Sequence, residues 1–247
     1  MTGNVMQYFF KEARIKMSIT ENVERVLTDI EDAAAHAGRD SSTVRLVAVT
    51  KTRTVDEIAE VVAAGAVHLG ENRIREASGK IPEISGEPVW HLVGHVQSNK
   101  AKLAAGLFDW IDSIDSKKII DLISARAQEE NKTVNALVQV DISGEETKFG
   151  ASPEHARELV EYAADIAGIS VCGLMTIGSF GVSADVTRSE FARMRELFDR
   201  FRDDPVVGPS MKELSMGMSG DYKMAIEEGS TMVRVGTSIF GQRNMYP

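Results

Sequence analysis

The sequence has few of the groups that staple a chain, anchor it in a membrane or charge it for nucleic acid. Its 247 residues include one cysteine, Cys172, so no disulfide within the chain is available and a reducing cytoplasm is the expected location. No apolar run approaches the roughly 18 residues that a membrane-spanning helix requires, so no membrane partner is expected. There is no basic excess. The formal net charge is -9, which repels a phosphate backbone and argues against nucleic acid as a partner. A GxGxxG dinucleotide fingerprint is missing, and the His, Cys and carboxylate spacings give no metal site. Pro/Gly/Ser-rich linkers and low-complexity tracts are absent too, so one domain is the simplest account.

What is present reads as an ordinary globular protein, 43% apolar and 26% charged. A chain of this length buries roughly three quarters of its unfolded surface and needs no staples. Residues 1–16 (MTGNVMQYFFKEARIK) show neither a clear period nor a cleavage-site pattern. They are expected to be a flexible extension or a misassigned start, with Met17 as the true one; a weak targeting signal is the alternative. Residues 17–247 then form the folded domain. Its first helix is expected to begin with Thr20 as N-cap, followed by Val23, Val26, Leu27 and Ile30 at helical spacing.

Beyond that helix, short β-rich runs alternate with helical patterns. Strands are expected at Val44–Thr50, Ala66–Gly70, Val89–Gly94, Asp109–Ile114, Val134–Ile142, Ile169–Ile177, Lys212–Met216 and Thr231–Gly236. They are near-continuous apolar runs, as parallel strands covered on both faces require. Helices are expected at Val55–Ala64, Lys117–Gln128, Pro153–Ala167 (behind the N-cap Ser152) and Thr187–Arg202. Eight such βα units in about 200 residues predict a single (β/α)₈ TIM barrel, with an open doubly wound sheet as the alternative.

In such barrels the working face lies at the C-terminal ends of the strands. Strand one ends at Lys51, strand two at Asn72, strand seven runs through Ser215 to Ser219-Gly220, and strand eight ends in Gly236-Thr237. The loops after strands seven and eight often bind phosphate, where glycine admits an anion and a hydroxyl adds a donor. Ordinary turns with N-caps are the plainer reading of those loops. Lys51 follows Leu46-Val47-Ala48-Val49 directly. In a partly dry barrel mouth such a lysine can serve as a Schiff-base nucleophile. On position alone a solvated lysine is the plainer reading, but a phosphorylated aldehyde would join Lys51 to the Ser219 and Thr237 loops. Arg234 lies inside an apolar strand and faces the same way as Gly236. It needs a ligand or a partner, and a strand-end carboxylate such as Glu71 is one candidate.

The segments LVAVTKT (46–52), LGEN (69–72), HLVGHVQSNK (91–100), GLMTI (173–177), LSMGMS (214–219) and GSTMVRVGTSIFG (229–241) occur in this order. With them the sequence resembles the YggS family of pyridoxal 5′-phosphate (PLP)-binding proteins, from about Val23 to Arg243. The resemblance implies the alanine racemase N-terminal-domain barrel (PLP fold type III), without the additional β-domain of that enzyme. It maps the Schiff-base lysine onto Lys51, phosphate ligands onto Ser219, Gly236 and Thr237 with Ser215 as a neighbour, and an asparagine beside the cofactor onto Asn72. An arginine facing the pyridine nitrogen maps onto Arg234. Members look like monomeric carriers or regulators of PLP, with apo PLP enzymes as acceptors and no established turnover. An arginine there leaves the ring a weaker electron sink. A racemase, the alternative, also needs a second acid/base, and none of Tyr8, Tyr162, Tyr222 and Tyr246 falls at a strand end. Gly178-Ser179-Phe180 departs from the family pattern.

Overall fold

The apolar runs form eight parallel strands that hydrogen-bond in chain order and close on themselves. They are β1 (Arg45–Val49), β2 (His68–Glu71), β3 (Val89–Leu92), β4 (Trp110–Ile114), β5 (Val134–Gln139), β6 (Ile169–Met175), β7 (Glu213–Met218) and β8 (Met232–Val235). This computed structural model describes residues 17–144 and 149–242; the expected extension over residues 1–16 lies outside them.

Strand register decides which side chains point inward. Val47 pairs with His68 on one side and Arg234 on the other. Gly70 pairs with His91, His91 with Trp110, and Ser215 with Met232. Laterally paired residues share a face, so these side chains point into the barrel and their chain neighbours point outward. The outward set, including Leu46, Ala48, Leu69, Leu92, Ile111, Ala136 and Val138, forms one apolar cluster with the helices.

The helices are α1 (Ile19–His36), α2 (Val55–Ala63), α3 (Ile74–Lys80), α4 (Ala101–Leu107), α5 (Lys117–Glu129), α6 (Pro153–Ala164), α7 (Ala184–Arg202), α8 (Tyr222–Glu227) and α9 (Thr237–Phe240). Helix α9, which follows β8, is a single turn. Helix α1 packs against α2, α8 and α9 and covers the seam that α9 is too short to cover.

Three helix boundaries differ from expectation by more than one residue. Helix α1 is capped by Ser18, not Thr20, because Glu21 completes a capping box with Ser18. Thr20 lies inside the first turn and its hydroxyl donates to Glu60. Helix α6 stops at Ala164 instead of Ala167, since the chain turns through Gly168 at φ 82°. Helix α7 starts at Ala184, one turn early, because Ser183 accepts from the Val186 N–H. Val186 is exposed, so the apolar period does not reveal that turn.

Candidate functional site

The end of β1 is held from outside the barrel. Thr50 is buried and its hydroxyl donates to Glu71 Oε1 at 2.7 Å. Lys80, at the end of α3, donates to the Thr50 carbonyl at 3.1 Å, to Glu71 at 3.0 Å and to Glu76. Glu76 also accepts from the Thr52 N–H. Thr52 has φ 64°, a left-handed conformation unusual for a β-branched residue. Strand β1 is thus stopped and bent, with Lys51 at the bend facing a cavity. Burial pushes the Glu71 carboxyl above the usual range; Thr50 and Lys80 oppose it. Sequence reading missed Glu76 and Lys80, although their i,i+4 spacing on one short helix was a usable signal.

Arg234 forms the opposite corner and is 4% exposed. Its guanidinium donates to Ser215 Oγ at 2.6 Å and to the Thr176 carbonyl at 2.7 Å. The ion pair with Glu71 does not form, because Glu71 is on the outward face of β2 whereas Arg234 points inward. Burial lowers the Arg234 pKa, and the charges of Asp112 and Asp221 oppose that shift.

The turns after β7 and β8 are joined to each other. The Ser219 hydroxyl accepts from the N–H groups of Gly236 at 3.1 Å and Ser238 at 3.2 Å. Gly217 has φ 94°, and a Cβ there would come within 2.5 Å of Ala225 Cβ, so only glycine lets β7 turn so closely into α8. Asp221 accepts from the Met218 N–H at 2.6 Å, and burial raises its carboxyl pKa.

These parts meet in one cavity of about 760 Å³ at the C-terminal end of the barrel. Lys51, Asn72, Ser219, Arg234, Gly236 and Thr237 all line it. Asn72 is fixed by the exit of β3, where a Cβ on Gly94 would lie 2.3 Å from the Asn72 carbonyl oxygen. Ser215 does not line the cavity. It is buried behind Arg234, as its acceptor. Part of the remaining wall is the loop 179–182, whose Ser179 donates to Glu190 from its N–H at 2.8 Å and from its hydroxyl at 2.6 Å. Phe180 stands 76% exposed on that loop. Tyr222 turns away from the cavity and donates to Asp29 on α1 at 2.6 Å, and Tyr162 donates to Asp121. Tyr8 and Tyr246 lie outside the described residues.

A family model described as alanine racemase, N-terminal domain, matches residues 22–244. A protein of Aquifex aeolicus named pyridoxal phosphate homeostasis protein is 38% identical over 228 residues, 92% of this chain and 99% of that one. The chain belongs to the pyridoxal phosphate homeostasis protein family. Among solved relatives, PipY of Synechococcus elongatus with PLP bound superposes with a TM-score of 0.77 at 33% identity, covering 91% of this chain and all of PipY. Alanine racemase of Clostridium difficile shares the fold, with a TM-score of 0.71 at 14% identity over 91% of this chain and 60% of that enzyme.

His91 and His95, four apart in the chain, go separate ways. His95 stacks on Phe149 with ring centroids 3.9 Å apart and faces Asp115. His91 points into the barrel, where it meets His68 and Asp112. No sequence pattern signals that inner cluster, since its members come from three different strands.

Proposed function

We propose that this chain binds PLP, holds it as a Schiff base on Lys51, and serves PLP homeostasis as a carrier rather than a vigorous catalyst. The observation that carries the reading is the meeting of Lys51, Arg234, Ser219 and Thr237 in one cavity, in a chain 33% identical to a relative solved with PLP bound. The residues suit the group. Gly236 leaves room beside the Val49 carbonyl, which a Cβ would approach to 3.2 Å, and Ser219 and Thr237, which both carry hydroxyls, line the same cavity. When bound, PLP supplies an aldehyde for a lysine amine and an electron-withdrawing ring.

The chain's own residues limit the chemistry open to it. The bend at Thr52, clamped by Glu76 and Lys80, aims the Lys51 amine into the cavity. Arg234 brings a permanent positive charge that cannot act as an acid, so it withholds a proton from any ring nitrogen it faces. Racemisation needs proton donors or acceptors on two faces of a substrate. Among the described lining residues the titratable ones besides Lys51 and Arg234 reduce to Asp221, which accepts from the Met218 N–H. The protein would work in the cytoplasm as a monomer and pass PLP to apo-enzymes.

The test is the visible spectrum of the purified protein with PLP, before and after borohydride reduction. A Schiff-base band that reduction fixes to Lys51, mapped by peptide analysis, is expected. A band unchanged in Lys51→Ala contradicts the assignment. Transfer of PLP to an apo-enzyme no faster than from free PLP contradicts the carrier role.

A further inference from the structure

Two exposed phenylalanines stand on loops at the C-terminal end of the barrel, and they are held differently. Phe149 stacks on His95, with ring planes 13° apart, and its carbonyl accepts from Gln139 at the end of β5. Phe180, the more exposed of the two, makes no ring or cation contact among the described residues. Yet it lines the same cavity as Lys51 and Arg234, and the proposed function leaves it without a role.

The loop that carries Phe180 is fixed at both feet. At the first foot, both oxygens of the buried Glu190 on α7 accept from Ser179, one from its N–H and one from its hydroxyl. Gly178 is pressed against the same carboxyl, where a Cβ would lie 3.3 Å from Oε2. Releasing that foot would leave a buried carboxyl without these donors, which is costly, so the foot stays in place. At the second foot, Ser183 caps α7, its hydroxyl accepting from the Val186 N–H and its carbonyl from the Thr187 N–H at 3.0 Å. Phe180, Gly181 and Val182 remain between the feet, and all three are exposed. Gly181 has φ 73°, and among the described residues a Cβ there would meet nothing within 4 Å. Glycine changes φ and ψ at little cost, so the tip can turn at Gly181 without disturbing either foot.

A protein partner seated on the rim or a ligand beneath the ring would each cover Phe180. The position of the loop favours the ligand. Ser179, Gly181 and Val182 line the cavity beside Phe180, so an inward turn of the tip buries the phenyl ring against whatever the cavity holds. The wall around it is apolar, with Ile177, Ala184 and Met224. Such a wall suits the face of a ligand ring, whereas Ser219 and Thr237 suit its phosphate. Fixed feet and a glycine between them serve a moving tip and add nothing to a static docking patch.

We propose that residues 180–182 form a lid that turns about Gly181 and lays the Phe180 ring over a flat, phosphorylated ligand once it is bound. The lid shields the ligand ring and the Lys51 end of the cavity from water. This rests on the binding of PLP proposed above.

Hydrogen exchange on the full chain tests whether the lid closes. With PLP added, the N–H groups of Gly181 and Val182 should exchange about tenfold more slowly or slower still. Inorganic phosphate alone has no ring to cover and should leave them unchanged. Unchanged exchange with PLP, or equal slowing by phosphate, overturns the lid. Spectral titration reads what the phenyl ring contributes. Phe180→Ala should weaken PLP binding roughly tenfold or more, the factor that burying a phenyl ring supplies. Phe180→Leu should recover part of that loss. Phe180 is exposed, so both variants should melt with the wild type when cofactor-free. If Phe180→Ala binds PLP as tightly as the wild type, the ring does not cover the ligand and the lid is overturned; slower transfer to an apo-enzyme by that variant would then assign the phenyl ring to a protein contact. A wild type that forms the Lys51 band without slowed exchange overturns the lid alone. A wild type that takes up no PLP overturns the binding reading and the lid with it.

Discussion

The barrel wall separates two interiors of opposite character. Outside it, between strands and helices, the packing is predominantly apolar, with Leu69, Ile111, Ile120, Leu174 and Phe191 among its fully buried members and the Thr50–Glu71–Lys80 cluster as a polar exception. Inside it, the apolar buried cluster shrinks to Val47, Val93, Leu137, Met175 and Met232. Trp110, Cys172 and Ile177 pack on that cluster, and the lumen also holds the polar residues His68, His91, Asp112, Ser215 and Arg234 and the Arg45–Glu213 pair. One sheet serves both because strand alternation gives each face its own composition. The outer face drives burial of apolar surface, which is indifferent to the identity of any one residue within limits of volume. The inner face mixes apolar with polar and charged residues, and each buried polar group there must be matched by a partner, so those residues are individually specified.

That contrast is broken most sharply by paired substitutions. Lys51→Ala, on the inner side, is expected to abolish the Schiff-base absorbance outright while leaving the melting temperature of the cofactor-free protein close to wild type. Ile120→Ala, in the outer layer, is expected to do the reverse. Truncating a fully buried isoleucine leaves a cavity and costs about 2–5 kcal/mol. Urea denaturation with and without PLP checks both. A chromophore that disappears in folded Ile120→Ala would mean that the two interiors are not separable.

Glu71 probes the boundary itself, being an outward residue whose partners hold the end of β1. Burial raises its pKa above the ordinary carboxyl value, against the pull of Thr50 and Lys80. A raised folded-state pKa means the folded protein holds that proton more tightly than the unfolded chain. The contribution to stability is therefore full below the ordinary glutamate pKa and is lost as pH rises through the raised one. Glu71→Gln cannot ionise and escapes that loss. Melting curves from about pH 4 to pH 8 should show the variant gaining on wild type as pH rises. A gap that instead moves in favour of wild type would mean that the bond to Lys80 outweighs burial.

Legibility in the sequence follows the same division. The outer layer could be read because burial on both faces of a strand and on one face of a helix leaves a period, and all eight strands were visible that way. The cavity could be read in part. Lys51, Asn72, Ser219, Gly236 and Thr237 sit at strand ends, and strand ends are where barrels work. Arg234 was visible as a charge inside an apolar run, but its partner was not. Ser215 sits behind it as a hydrogen-bond acceptor instead of lining the cavity, and only the three-dimensional register decides that Glu71 points the other way. The His68–His91–Asp112 cluster was invisible for the same reason. Each member is an isolated polar residue in its own strand, and lateral register alone brings them together.

The smallest expected effect lies at the rim of the outer layer and sharpens a correction. Ser18 caps α1 through a box with Glu21, whereas Thr20, the residue the apolar spacing pointed to, is already helical. Ser18→Ala should cost about 1 kcal/mol. It removes the acceptor for the Glu21 N–H and the hydroxyl that donates to the Glu21 carboxylate. Thr20→Ala should cost less, since its hydroxyl makes a long 3.3 Å bond to Glu60 that water can replace. Both belong to the helix that covers the seam beside α9, so both are read by global denaturation rather than by the chromophore. If Thr20→Ala proved the costlier, the bridge from α1 to Glu60 on α2 would matter more than the cap, and closure of the seam would depend on helix–helix contact instead of the start of α1.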